Sequence, residues 1–200
     1  MKYIPKLLIY SRIIGGWVIA TLSIIQPHNF RYVIIILICI GLLSDIFDGI
    51  IARSLKISTV SLRRLDSTVD QFFWLMVIVG TYFISPYFFK TNYVQIFLLL
   101  GLEGCCYLVS FIRFKKEVAT HAISSKVWTL ILFATLVQVI AVGNSIILFY
   151  VCFYLGILTR LEIIAMLVIL KTWTSDVPTI YHAVLIRNNR PIKRYKLFNG

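Results

Sequence analysis

Six apolar runs occupy most of this sequence, at roughly residues 13–27, 32–53, 66–88, 93–113, 127–144 and 146–170. A helix needs about 20 mostly apolar residues to cross a hydrocarbon core. Backbone amides and carbonyls find no water there, so a crossing segment must satisfy its own hydrogen bonds as a helix. The runs therefore predict an all-α, polytopic membrane protein with about six transmembrane helices. Turn chemistry separates them: Pro27-His28-Asn29, the polar stretch 54–65, Lys90-Thr91-Asn92, the stretch 114–126 and Gly143-Asn144-Ser145. Residues 1–12 place Lys2 and Lys6 beside Ile4, Leu7, Leu8 and Tyr10, and read as an N-terminal interfacial amphipathic helix. No short apolar stretch ending in small residues follows, so the N-terminus does not read as a cleavable signal. The expected organisation is one membrane domain over 1–200: interfacial helix 1–12, six-helix bundle 13–170 and basic cytoplasmic tail 171–200.

Composition agrees with a lipid environment. The chain is 60% hydrophobic and 14% charged, against about 45–50% and about 25% in soluble domains. Its net charge of +12 invites nucleic acid as a partner, but the basic residues punctuate apolar runs and line no polar face. Attraction to anionic headgroups accounts for them, and no nucleic-acid partner is expected. With the N-terminus in the cytoplasm, six spans put eighteen of the twenty lysines and arginines on or near the inner side. Only Arg31 and Lys90 fall outside. Cys39, Cys105, Cys106 and Cys152 lie in apolar runs without paired metal-ligand spacing and read as packing residues. His28, His121 and His182 are scattered. Tyr82, Tyr87, Phe88 and Phe89 read as an outer interfacial belt.

Four of the five aspartates fall within 26 residues: Asp45, Asp48, Asp66 and Asp70. A carboxylate in or beside a spanning helix is costly, so it ordinarily has a partner and a task. Asp45 and Asp48 are spaced i, i+3 near the inner end of the second span. Asp66 and Asp70 are spaced i, i+4 near the start of the third, so each pair shares a helix face. A short loop joins the two helices, which predicts an antiparallel pair with all four carboxylates at one depth. They cannot all stay ionised without compensation, and only Arg53 and Arg64 are close in sequence. Hard divalent ions such as Mg²⁺ or Mn²⁺ prefer oxygen ligands and bridge carboxylates to substrate phosphates. The cluster reads as a metal site handling phosphate or pyrophosphate on the cytoplasmic side.

The run Asp45-Ile-Phe-Asp48-Gly49-Ile-Ile-Ala52-Arg53, then eight residues, Leu62, three residues, Asp66, three residues and Asp70 resembles the CDP-alcohol phosphotransferase motif, D-x2-D-G-x2-A-R-x8-G-x3-D-x3-D. Seven of its eight fixed residues match in register. Residues Ile4 to Ile13 resemble the family's P-N-x-L-T-x-x-R opening, and Ser125-Lys126-Val127-Trp128-Thr129 its G-K-x-x-T stretch. The resemblance implies two Mg²⁺ or Mn²⁺ ions held by Asp45, Asp48, Asp66 and Asp70, with Asp70 also the base that deprotonates the acceptor hydroxyl. It further implies that Gly49, Ala52 and Arg53 line the CDP pocket. Arginine clamps phosphate oxygens, and glycine lets a nucleotide approach the backbone. Leu62 for glycine, Lys6 for asparagine and Ile9 for threonine are departures from the pattern. All three fall on the expected nucleotide side, while the aspartates are intact.

The implied reaction is metal-dependent transfer of a phosphatidyl (substituted phosphate) group from a CDP-linked donor, CDP-diacylglycerol or another CDP-alcohol, to a hydroxyl acceptor, releasing CMP in phospholipid biosynthesis. Lys126, Arg113 and Arg160 are the candidates for binding an acceptor phosphate, which favours a phosphorylated polyol such as glycerol 3-phosphate. Arg160 needs a partner because it lies inside a span, and Glu162, two residues on, faces elsewhere. Glu103, inside the fourth span, has a neighbouring helix or a dimer partner as its alternatives. The resemblance also implies a homodimer among membrane lipids. The expected location is a bacterial cytoplasmic membrane, with active site and both termini facing the cytoplasm. The competing readings are a silent family member acting as scaffold or partner subunit, suggested by Leu62, Lys6 and Ile9, and an ion-coupled transporter. The transporter reading is weakened by carboxylates gathered at one face and by the lack of an inverted repeat.

Overall fold

The computed structural model describes residues 4–54, 59–120 and 122–192. Eight helices are found among them: α1 (Ile4–Ile25), α2 (Phe30–Ser54), α3 (Val60–Ile84), α4 (Pro86–Thr91), α5 (Tyr93–Phe114), α6 (Ile123–Val142), α7 (Ile147–Ile169) and α8 (Ile180–Arg187). No strand occurs among the described residues. Six of the helices, α1 to α3 and α5 to α7, are long and apolar enough to cross a membrane. The boundaries follow the turn residues. Gln26 and Asn29 take positive φ between α1 and α2, and Gly143, at φ 83°, ends α6, where a side chain would be strained. Thr59 caps α3 by accepting a hydrogen bond from the Leu62 amide at 3.2 Å.

Residues 4–12 form the opening turns of α1, which continues to Ile25. The Gly15-Gly16 pair falls within this helix without ending it.

The chain forms two compact units. The first comprises residues 1–91 and 136–145. Within it α1 packs along both α2 and α3, which touch each other only marginally. The expected α2–α3 neighbours are thus separated along most of their length by α1. Small residues make the close approaches possible. The ring of Phe73 on α3 fills a notch at Gly41 on α2, where an added Cβ would stand 2.2 Å from Cζ. A Cβ at Gly80 would stand 2.6 Å from Ser23 Oγ on α1. Lipid-embedded helices have no water to expel from between them, so such notches decide which faces meet. On the loop side of α6, Arg31 donates to the carbonyls of Ile140 (3.1 Å) and Ala141 (3.2 Å), satisfying the acceptors of a helix end. Of the expected aromatic belt, Tyr82 and Tyr87 are exposed whereas Phe88 is buried.

The second unit comprises residues 92–135 and 146–200. Here α5 and α8 both pack on α7, around Cys106, Ile163, Met166, Leu167, Val177 and Ala183. The segment after α7 is therefore not a bare tail over its described length. Asp176 and Val177 donate backbone hydrogen bonds to Ala119 and Thr120, and Ile123 donates to Pro178. Trp173 Nε1 donates to the Glu117 carbonyl at 2.9 Å. Arg113 caps the end of α7 at the Val168 and Leu170 carbonyls, and Arg187 at that of Ile169, placing positive charge where the helix dipole is negative. Residues 193–196 of the basic run lie outside the described residues.

Candidate active site

Asp45 and Asp48 lie one turn apart on α2, and Asp66 and Asp70 one turn apart on α3. Their side chains converge, as their spacing predicted, but on a residue that spacing did not indicate. Arg12 of α1 places its guanidinium among all four. Its Nη1 donates to Oδ1 of Asp45 at 2.8 Å and to Oδ1 of Asp70, and its Nη2 donates to Oδ2 of Asp48 and to Oδ1 of Asp66. Arg12 is 1% exposed and Asp48 3%, while Asp45, Asp66 and Asp70 are only partly covered. The carboxylates thus form a ring closed on its Asp48 side and open on the other.

The scaffold explains the convergence. Gly41 precedes Asp45 by one turn and Phe73 follows Asp70 by nearly one, so the Gly41–Phe73 notch sets the separation of α2 and α3 directly beneath the ring. Ser44 Oγ donates to the Leu8 carbonyl at 3.2 Å, which fixes α1 against α2 at the same level. Arg12, one turn beyond Leu8, is held between the two acidic faces. Arg53 and Arg64, the cations nearest in sequence, are too few to balance four carboxylates by pairing alone. Among the described side chains, Arg12 pairs with all four, 33 residues from Asp45 and 58 from Asp70. A signal for it existed: a lone arginine between Ile9 and Ile25 must be paired, and these aspartates are the acidic residues in surplus.

Oδ atoms of Asp45, Asp48 and Asp66 lie within 4.8 Å of one another. This donor set fits a hard divalent ion, which takes carboxylate oxygens, and a cationic group already occupies its centre. Asp70 stands outside that group of three while sharing Arg12 with it. Gly49 follows Asp48 on α2 and is half-buried. Ala52 and Arg53 belong to the last turn of α2, and their side chains lie outside the described residues, as does that of Arg63. Among the departing residues, Lys6 is exposed, Leu62 half-buried in the first turn of α3, and Ile9 1% exposed. Ile9 therefore packs in the core.

The expected acceptor-binding cations belong to the second unit. Lys126 is exposed in the first turn of α6. Arg113 is exposed and donates to the α7 carbonyls already described. Arg160 is 5% exposed. Its Nε donates to Glu103 Oε2 at 2.9 Å, and its guanidinium stacks 3.6 Å from the centre of the Trp128 ring. Trp128 is seated by a hydrogen bond from Nε1 to the Cys152 carbonyl (2.9 Å) and by the missing side chain of Gly156. Glu103 thus has a neighbouring helix as its partner. Glu162 is taken instead by Ser124 Oγ at 2.5 Å. Mid-span positions for both Glu103 on α5 and Arg160 on α7 were the signal that would have paired them.

A family model described as CDP-alcohol phosphatidyltransferase matches residues 2–173. Neither a curated protein nor a solved structure matches the chain.

Proposed function

Because the chain belongs to the CDP-alcohol phosphatidyltransferase family, an integral multi-pass membrane transferase by its six apolar helices, we propose that it is an active, metal-dependent enzyme. The reaction is transfer of a phosphatidyl group from CDP-diacylglycerol to a hydroxyl acceptor, with release of CMP. The observation that carries this reading is the convergence of four carboxylates from two helices on one centre of positive charge.

In this reading Asp45, Asp48 and Asp66 would hold Mg²⁺ or Mn²⁺, which when bound would supply positive charge against the pyrophosphate and the departing CMP. Asp70, outside the group of three, takes the proton of the acceptor hydroxyl. The freed oxygen attacks the phosphorus that carries the diacylglycerol. A new P–O bond forms as the bond to CMP breaks, and CMP leaves with the electron pair. Gly49 leaves room for the nucleotide beside α2, and Arg53 supplies a phosphate contact. Glycerol 3-phosphate is the proposed acceptor, supported by the cationic character of Lys126, Arg113 and Arg160. Arg160 contributes least to that support, since Glu103 already pairs with it. The active site faces the cytoplasm, where nucleotide donors are found, and the protein works as a homodimer.

The test is CMP release by purified protein in detergent with CDP-diacylglycerol, Mg²⁺ or Mn²⁺, and a panel of acceptors, beside Asp70→Asn. Metal-dependent release with one acceptor, absent from the variant, is the expected result. Folded protein that releases no CMP with any acceptor would refute it, in favour of another donor or a silent family member.

A further inference from the structure

The aspartate ring holds a cation of its own. Arg12 reaches the four carboxylates with its two terminal nitrogens, while its Nε is buried without a hydrogen-bond partner. A buried guanidinium normally satisfies its donors all round. Here the tip is fully engaged and the stem is not, so the position serves the aspartates more than the arginine. The atoms it occupies are the informative part. Nη1 and Nη2 bond to Asp45, Asp48 and Asp66, the residues whose ligand atoms cluster within 4.8 Å. Small divalent ions approach carboxylate oxygen at about 2.0–2.1 Å. One oxygen of each of these carboxylates already accepts from the guanidinium, so an ion entering the same centre would compete with Arg12 for it.

Charge leads to the same conclusion. Four carboxylates brought together without a counter-ion repel one another strongly in a poorly solvated site. One guanidinium relieves part of that repulsion and leaves the ring net negative, still attractive to a divalent ion. The fork of Arg12 spans two helices in a way a point charge cannot. We propose that Arg12 is a built-in plug of the aspartate ring: it preserves the ring's geometry without metal and must be expelled from the centre when metal enters. The inference rests on the reading of the ring as a metal site and adds a consequence to it. Apparent metal affinity is set by competition with a group carried on α1.

The experiment titrates Mn²⁺ into the detergent-solubilised full chain, following free Mn²⁺ by electron paramagnetic resonance, with thermal melts in Mn²⁺ and in chelator. The variants are Arg12→Met, Arg12→Lys and Arg12→Ala, all purified in Mn²⁺ before exchange. Arg12→Met removes charge and plug; Arg12→Lys keeps the charge but loses the fork. Both are expected to bind Mn²⁺ about tenfold more tightly than the native chain, the equivalent of one charge-assisted hydrogen bond no longer broken on entry. Millimolar guanidinium ion should return Arg12→Ala toward the native affinity, and the variants should melt earlier in chelator but not in Mn²⁺.

Tighter binding by Arg12→Met with Arg12→Lys unchanged would overturn the proposal, because the field of the charge would then suffice. Unchanged affinity in every variant would overturn it too. So would variants that fail to fold even in Mn²⁺, since metal is argued to take over Arg12's place. If the native chain and all variants alike bind no Mn²⁺, the metal site itself is refuted and the plug with it. That result is distinct from a native chain that binds metal regardless of residue 12.

Discussion

Replacing Gly41 by alanine tests the fold where it meets the chemistry. In an open helical position glycine to alanine favours the helix by about 1 kcal/mol. At Gly41 the added Cβ would lie 2.2 Å from Phe73 Cζ and 2.8 Å from both Cε atoms. Carbon atoms in contact sit about 3.5–4.0 Å apart, so the ring must retreat by more than 1 Å, by the difference from that contact distance. Phe73 is 2% exposed and has little space to enter, so overpacking should cost about 1–3 kcal/mol. The displacement occurs one turn from Asp45 and from Asp70, and α2 should move away from α3 at the level of the ring. Gly41→Ala is therefore expected to lower stability in chemical denaturation and also to weaken Mn²⁺ binding. Gly104→Ala, on a helix face where an added Cβ meets nothing within 4 Å, should do neither. Adding Phe73→Leu to Gly41→Ala should recover about 1 kcal/mol or more, a coupling expected of residues in direct contact. Gly41→Ala as stable as the native chain, or a loss that Phe73→Leu leaves untouched, would refute the notch as the element that spaces α2 from α3.

The remaining predictions concern charges and the Leu62 departure from the motif. Asp48→Asn should abolish Mn²⁺ binding, whereas Asp70→Asn should bind Mn²⁺ within about threefold of the native chain yet lose at least about 100-fold in CMP release, the loss expected of a general base. Equal effects of the two on metal binding would erase the division of roles. Glu103→Ala leaves Arg160 buried without its carboxylate and should cost about 2–4 kcal/mol in denaturation. The double substitution Glu103→Met with Arg160→Met should regain most of it; a Glu103→Ala chain as stable as native would dismiss the pair as incidental. Leu62→Gly removes a half-buried side chain from the first turn of α3 and should reduce turnover, as expected of a donor pocket adapted to leucine. Increased turnover would instead identify Leu62 as an impairment of an otherwise intact site.

Hydropathy and periodicity made much of this molecule legible. The apolar runs identified six spans because a bilayer demands helices of that length, whatever their neighbours. The i, i+3 and i, i+4 spacings put Asp45 with Asp48 and Asp66 with Asp70 on single faces, since helical geometry is local. The sequence motif marked the reaction class. Contacts between helices were a different matter. Periodicity shows which face of a helix is distinctive but does not say what meets it, and in lipid most apolar faces are interchangeable. The insertion of α1 between α2 and α3 depended on fits such as Gly16 against Met76 and Ser23 against Gly80. With that insertion came Arg12, far away in sequence and central to the site. The Glu103–Arg160 pair was decided the same way, by a cost of unpaired charge that the sequence announces at both ends without joining them. The segment after Lys171 is basic enough to read as a cytoplasmic tail, yet Val177 and Ala183 are fully buried. Composition reports the average affinity of a segment for water, whereas a few apolar side chains with a matching surface on α7 are enough to fold it back.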